Sequence, residues 1–186
     1  MRMALTFIIT AALAVTAPSA QPGPSQSPGP ESRALSVWHG EWTYQGENYT
    51  TPLGPGSKVA GTMTGRPIQG GFASEFIYEE RGASGSTRYF EVDFWSPASR
   101  SYSYIFVGND GYVEQGSFVV QGKVTTFQGR FAVGGKTYKV RGVETVAPDG
   151  LSFSKKQELT VDGKTWMPYA SSMFTKVSPE RSKDRK

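Results

Sequence analysis

The chain has 186 residues, with 22 glycines, 12 prolines, no cysteine and a formal net charge of +4. Most of the positive excess lies near the two ends, because residues 38–177 contain 14 Lys and Arg against 13 Asp and Glu. This near-neutral body argues against a nucleic-acid-binding face, and the absence of cysteine excludes a disulfide framework.

The N-terminus carries the features of an export signal. An unbroken apolar run at residues 5–15, LTFIITAALAV, follows Arg2 and precedes the small residues TAPSA. This pattern predicts a signal peptide at residues 1–20, cleaved after Ser19 or Ala20. The run is short for a bilayer span, so no membrane span is expected after cleavage. We therefore expect a bacterial periplasmic or secreted protein.

Three segments follow the signal peptide. Residues 21–33, QPGPSQSPGPESR, have almost nothing to bury and predict a disordered spacer. Residues 34–177 are patterned and long enough for a single domain with its own core. The stretch ESRALSVW favours a helical turn, because Leu35 and Trp38 fall on one side of it. The mixed-charge residues 178–186 predict a flexible tail.

The patterned region predicts an all-β fold. Short runs rich in Tyr, Phe, Val, Thr and Trp are separated by turn sequences such as GNDG, VGGK, APDG and VDGK. Ten strands are predicted at residues 42–50, 57–64, 71–80, 87–95, 101–107, 112–120, 123–133, 136–146, 151–161 and 165–176. Because several loops are very short, neighbouring strands must be antiparallel. Closing such a long meander into a barrel would remove its two exposed edges.

The alternation along the strands indicates what the barrel encloses. In residues 136–146, one face carries Tyr138, Val140 and Gly142 and the other carries Lys139, Arg141 and Val143. Few strands divide into a purely apolar and a purely polar face. A packed core favours one clean apolar face, whereas a lumen that holds a ligand and water tolerates polar groups. Barrels larger than eight strands leave such a space. The pattern therefore predicts a lumen with room for a small molecule.

The sequence GEW at residues 40–42 resembles the Gly-x-Trp of the calycins, the lipocalins and their relatives. Together with GPGSK, APDG and DGKTW in this order, it resembles a bacterial family of calycin-like domains of unknown function, over nearly all of residues 35–177. The resemblance implies that Trp42 closes the barrel floor and that Lys176, from the last strand, covers it. We expect Trp38 to belong to a short lid or plug. The resemblance implies no catalytic residues.

Six residues are candidates for contact with a ligand. The aromatic candidates for the lumen wall, which packing alone could also explain, are Tyr44, Tyr104, Tyr138 and Trp166. Arg141 would need a carboxylate partner or an anionic ligand if its side chain faced the lumen. Glu158, on the next strand, is the candidate partner.

Other polar residues favour simpler interpretations. His39 is the only histidine, so the sequence predicts no metal site and no cofactor. Glu91 and Asp93 lie two apart on one strand face, a spacing that could support acid–base glycoside chemistry. We favour the alternative that both carboxylates lie on a solvated outer face, paired with basic residues of a neighbouring strand.

The sequence reveals no reaction. It predicts an exported barrel that binds a small amphipathic or hydrophobic ligand in its lumen. One alternative is a hydrolase or isomerase that uses carboxylates and tyrosines on the same barrel. Another is a structural or protein-interaction module, which would show a contiguous exposed apolar patch.

Overall fold

The computed structural model describes residues 27–83 and 85–178. The predicted signal peptide and nearly all of the predicted tail lie outside these residues. A short helix, α1 (Pro30–Ala34), and a 3-10 turn (Leu35–Trp38) come first, which confirms the predicted helical turn. Pro30 suits the first position of a helix, where its missing N–H costs nothing. Regular structure thus begins inside the segment that the sequence assigns to the spacer.

The described residues contain ten strands. Their bounds are β1 Gly40–Asn48, β2 Ser57–Ile68, β3 Ala73–Gly82, β4 Gly85–Ser96, β5 Ser101–Gly108, β6 Val113–Gln121, β7 Val124–Val133, β8 Lys136–Val146, β9 Ser152–Thr160 and β10 Met167–Lys176. All ten predicted strands are confirmed, with small shifts at their ends. Turn glycines at positive φ, among them Gly111, Gly135, Gly150 and Gly163, separate the strands.

The ten strands form a closed antiparallel barrel in which each strand pairs with its neighbours in the sequence. β1 also pairs with β10, with Trp42 opposite Lys176. This pairing closes the sheet, so neither end strand is left with an unpaired edge. The predicted meander and its closure are therefore confirmed.

The alternating strand directions give the barrel two distinct ends. β1 begins and β10 ends at one of them, which we call the floor end, and the 3-10 turn packs there. The opposite end, which we call the upper end, carries the β1–β2, β3–β4, β5–β6, β7–β8 and β9–β10 connections.

The floor end is closed by packed side chains. Trp42 is 1% exposed and Leu35 is fully buried. The Trp42 indole N–H donates a hydrogen bond of 2.9 Å to the carbonyl oxygen of Trp38, which ties the N-terminal segment to the barrel. The Lys176 ammonium lies 5.1 Å from the centroid of the Trp42 ring. Nearby, a His39 ring nitrogen lies 2.8 Å from the hydroxyl oxygen of buried Ser74.

Two glycines let an aromatic ring lie flat against the inner wall. Gly116 in β6 is paired with Gly129 in β7, and the Tyr104 side chain crosses both. A Cβ atom added to Gly129 would lie 2.2 Å from the Tyr104 hydroxyl oxygen, far inside contact distance. The missing side chains therefore provide the space that the ring occupies.

Candidate functional site

The barrel encloses a cavity of about 180 Å³. It extends from Trp38, just above the floor, to Asn48 and Tyr169 near the upper end. Most of its wall is aromatic. Its aromatic lining residues are Trp38, Tyr44, Phe76, Tyr78, Tyr89, Tyr104, Phe106, Tyr112, Phe118, Phe127, Phe153, Tyr169 and Phe174.

The same wall carries a dense group of charged side chains. Five carboxyl groups line the cavity, those of Glu80, Glu91, Asp93, Glu114 and Glu144. Lys155 is the one basic residue among the described residues that border it. The lumen therefore has an excess of four acidic groups over basic ones. We call these six residues the lumen charge cluster.

The interpretation that Glu91 and Asp93 lie on a solvated outer face is wrong. Glu91 is 9% exposed and Asp93 is 8% exposed, and both border the cavity. Alternate residues of a strand point to opposite faces, so Phe90 lies outside, where it is 42% exposed. The cross-strand register places Asp93 opposite Tyr104, itself an inward residue.

Lys155 and Glu144 form an ion pair inside the barrel. They stand directly opposite each other on β9 and β8, and the Lys155 ammonium lies 3.1 Å from a Glu144 carboxylate oxygen. The ammonium is also 4.9 Å from the centroid of the Phe127 ring. Burial alone would lower the pKa of Lys155, but attraction to Glu144, Glu91 and Glu114 raises it. Lys155 is therefore a fixed positive charge at neutral pH.

Tyrosine hydroxyls are the main partners of the other carboxyl groups. The hydrogen bonds run from Tyr104 to Glu114 at 2.5 Å, from Tyr78 to Glu91 at 2.6 Å, from Tyr44 to Glu80 at 3.0 Å, and from Tyr112 to Glu114. Burial and the adjacent carboxylate raise the pKa of each of these tyrosines. The hydroxyls therefore stay protonated near neutral pH and act as donors, which fixes the carboxylates against the wall.

Asp93 differs from the other acidic groups. Among the described residues, two buried side-chain polar atoms lack a hydrogen-bond partner, Asp93 Oδ1 and Trp38 Nε1, and both residues border the cavity. Burial and the charges of Glu91 and Glu144 raise the pKa of Asp93 well above its usual value. Buried polar atoms normally have hydrogen-bond partners. These two residues of the cavity wall are therefore unusual, because each has one buried atom without a partner in the protein.

The predicted aromatic wall residues lie in different places. Tyr44 and Tyr104 border the cavity. Tyr138 is buried, 4% exposed, and stacks on Phe131 with ring centroids 5.3 Å apart, but it does not border the cavity. Of the predicted wall tyrosines, the structure therefore brings two together around the cavity.

Arg141, Glu158 and Trp166 lie together on the outside of the barrel. The Arg141 Nε donates a 2.8 Å hydrogen bond to Glu158, and their side chains are 50% and 44% exposed. The guanidinium carbon lies 4.2 Å from the centroid of the Trp166 ring. None of the three borders the cavity, because Val140 and Tyr138 occupy the inward positions next to Arg141 on β8.

Sequence reasoning missed Glu80 and Glu114 of the lumen charge cluster, and it also missed the pair formed by Glu144 and Lys155. A signal for this pair is present in the β8–β9 turn APDG, which places Val146 opposite Phe153. The same antiparallel register places Glu144 opposite Lys155. Had the hairpin register been combined with the inward position of Val140, the sequence would have predicted this buried ion pair.

No three His, Asp or Glu side chains in residues 27–83 and 85–178 are arranged to hold a metal ion. No helix in the same residues is long and apolar enough to cross a membrane.

The architecture defines the protein as a closed, ten-stranded antiparallel β-barrel. No protein-family model matches the chain, and no curated protein matches it in sequence. The crystal structure of Rv2717c from M. tuberculosis is similar in fold, with a TM-score of 0.58 and 14% identity, over 82% of this chain and 100% of that chain. A de novo designed fluorescence-activating β-barrel has a TM-score of 0.40 and 15% identity, over 77% of this chain and 97% of that chain.

Proposed function

We propose that this protein is an exported barrel that binds a small organic molecule in its lumen. The observation that carries the proposal is the cavity of about 180 Å³ inside a closed barrel. Its size is close to that of an engineered cavity of about 150 Å³ that accommodates benzene. The proposed ligand is therefore about one aromatic ring in size, and it meets both aromatic and polar groups, as an amphipathic molecule requires.

The arrangement of the polar groups supports binding over acid–base catalysis. Glu114 accepts hydrogen bonds from both Tyr104 and Tyr112, and a tyrosine with a raised pKa is a poor base at neutral pH. Glu144 is held by Lys155. These groups are fixed by one another, as in a preorganised binding site.

The test is a titration of the purified protein with single-ring compounds of positive, neutral and negative charge, followed by calorimetry and protein NMR. We expect at least one compound to bind and to shift the resonances of residues that line the lumen. Ala170→Leu extends an inward side chain into the cavity and should abolish this binding, because it removes the free volume.

The matched control is Thr175→Leu, which adds an apolar side chain at an exposed position on the same strand. Binding should be unchanged in this variant. The proposal is overturned if no compound binds, or if Ala170→Leu binds as tightly as the unmodified protein. Export is tested separately, by sequencing the N-terminus of the protein recovered from the periplasm or medium.

A further inference from the structure

The acidic excess in the lumen points to the charge of the ligand. Five carboxyl groups and one ammonium line the cavity, and Glu91, Asp93 and Glu114 are at most 9% exposed. Charged groups are costly in such a place unless opposite charges or hydrogen bonds compensate them. The lumen therefore favours positive charge and disfavours a second anion.

Four of the five carboxyl groups already have partners in the protein. Glu144 pairs with Lys155, and tyrosine hydroxyls donate to the other three. Asp93 is the exception, because its Oδ1 is buried without a hydrogen-bond partner and the residue is 8% exposed. The Oδ1 atom therefore lacks a partner whether or not the carboxyl group is ionised. An ionised group would need a hydrogen-bond donor or a cation there, and a protonated group would still leave one oxygen without a donor.

The barrel's own lysine shows how this lumen surrounds an ammonium group. The Lys155 Nζ lies between the Glu144 carboxylate, at 3.1 Å, and the Phe127 ring, at 4.9 Å from its centroid. A carboxylate together with an aromatic face is the usual environment of a bound organic cation. Asp93 and the ring of Tyr104, which stand opposite each other on β4 and β5, offer the same combination without a cation.

We infer that the lumen binds a small aromatic amine in its protonated form, with the ammonium group on the Asp93 carboxylate. The inference rests on the proposed function, since it names the class of ligand for the same cavity. It assigns Asp93 as the charge-recognition residue. Arg141 has no part in this recognition, because it lies outside the barrel.

The experiment compares three compounds of one size and three charges at pH 7: benzylamine, benzyl alcohol and benzoate. In the unmodified protein we expect benzylamine to bind at least about tenfold more tightly than benzyl alcohol, because a hydrogen bond to a charged group is worth more than a neutral one. Benzoate should bind most weakly. Calorimetry measures all three affinities.

Asp93→Asn keeps the size of the side chain and removes its charge. It should weaken benzylamine binding by at least about tenfold and change benzyl alcohol binding by less than about twofold. The control is Glu79→Gln, which makes the same chemical change at an exposed position on β3 and should leave both affinities unchanged. If Asp93→Asn fails to fold, the inference is tested by the ranking of the three affinities in the unmodified protein and by a crystal structure of its complex with benzylamine.

The outcomes separate the two proposals. If benzyl alcohol or benzoate binds as tightly as benzylamine, or if benzylamine binds with its nitrogen away from Asp93, the inference is overturned and lumen binding stands. If none of the three binds and the broader series of compounds also fails, both proposals are overturned. A benzylamine preference that disappears in Asp93→Asn supports both.

Discussion

Two ion pairs on the same two strands show how different the inside and outside of this barrel are. Glu144 and Lys155 face the lumen, while Arg141 and Glu158 stand three residues further along the same β8–β9 ladder and face solvent. An odd separation on a strand reverses the face. The inner pair is largely removed from water, with side chains 14% and 19% exposed, and it belongs to the lumen charge cluster with four more carboxyl groups.

The outer pair has a different physical character. Its charges are about half exposed and therefore screened by water, and it is supplemented by the Trp166 ring. Exposed pairs contribute little to stability, whereas loss of one member of a buried pair is costly. Equivalent substitutions in the two pairs should therefore have unequal effects on the free energy of unfolding.

The largest effect is expected for Lys155→Met, which removes the one positive charge of the lumen charge cluster. We expect the free energy of unfolding at pH 7 to fall by about 3 kcal/mol, because the carboxylates around Lys155 lose their counter-charge. Denaturation with urea measures the change. Lys156→Met, at an exposed position on the same strand, is the control and should change stability by less than about 0.5 kcal/mol. Equal effects of the two substitutions would contradict the assigned faces.

An intermediate effect, of opposite sign, is expected for Asp93→Asn. Burial, with the charges of Glu91 and Glu144, raises the pKa of Asp93 in the folded protein. The stabilisation by a carboxyl group with a raised pKa is fully present below its unfolded pKa, about 3.9, and is lost as the pH rises through the folded value. The folded protein thus bears the cost of ionising Asp93 at high pH.

Asparagine avoids this cost. Asp93→Asn should therefore raise the free energy of unfolding at pH 8 by about 1–3 kcal/mol, the cost of an uncompensated buried group, and the gain should vanish near pH 4. Denaturation at both pH values measures it. Glu158→Gln, in the exposed outer pair, is the control and should change the free energy of unfolding at pH 8 by less than about 1 kcal/mol. A loss of stability at pH 8 in Asp93→Asn would show that Asp93 is compensated in the folded protein.

The smallest effect is expected for Arg141→Met. The free energy of unfolding should change by less than about 1 kcal/mol, because the Glu158 carboxylate that remains is solvated. Benzylamine affinity should be unchanged, since the side chain lies outside the lumen. Urea denaturation and calorimetry measure the two quantities. A marked loss of affinity would place the binding site on the outer surface of the barrel beside Trp166.

The sequence predicted the architecture well because its determinants are local. Turn residues such as the glycines of GNDG and APDG mark the ends of strands, and short loops force antiparallel neighbours. Closure followed from the number of consecutive strands. The faces of the strands were harder, because β4 carries Phe90 outside and Glu91 and Asp93 inside, the reverse of the usual pattern.

The site could be predicted only in part for the same reason. Tyr44 and Tyr104 were recognisable as aromatic residues on strands, but the burial of Asp93 depends on its register against Tyr104 across the sheet. The register between two strands depends on both of them, so the sequence of one strand does not determine it. Arg141 was predicted to contact a ligand because its charge would need a partner if it faced the lumen. Lys155 lies in a polar stretch of β9, and its inward position becomes apparent only from its pairing with Glu144 on β8.

The N-terminal segment packs at the floor end, and this position determines where the two ends of the described chain leave the barrel. The Tyr102 hydroxyl donates to the backbone oxygen of Glu31, and the Val177 amide donates to the backbone oxygen of Glu41. Both ends of the described chain therefore leave the barrel at its closed base. A fusion partner joined to the described chain there would lie at the floor end, on the opposite side of the barrel from the upper-end connections.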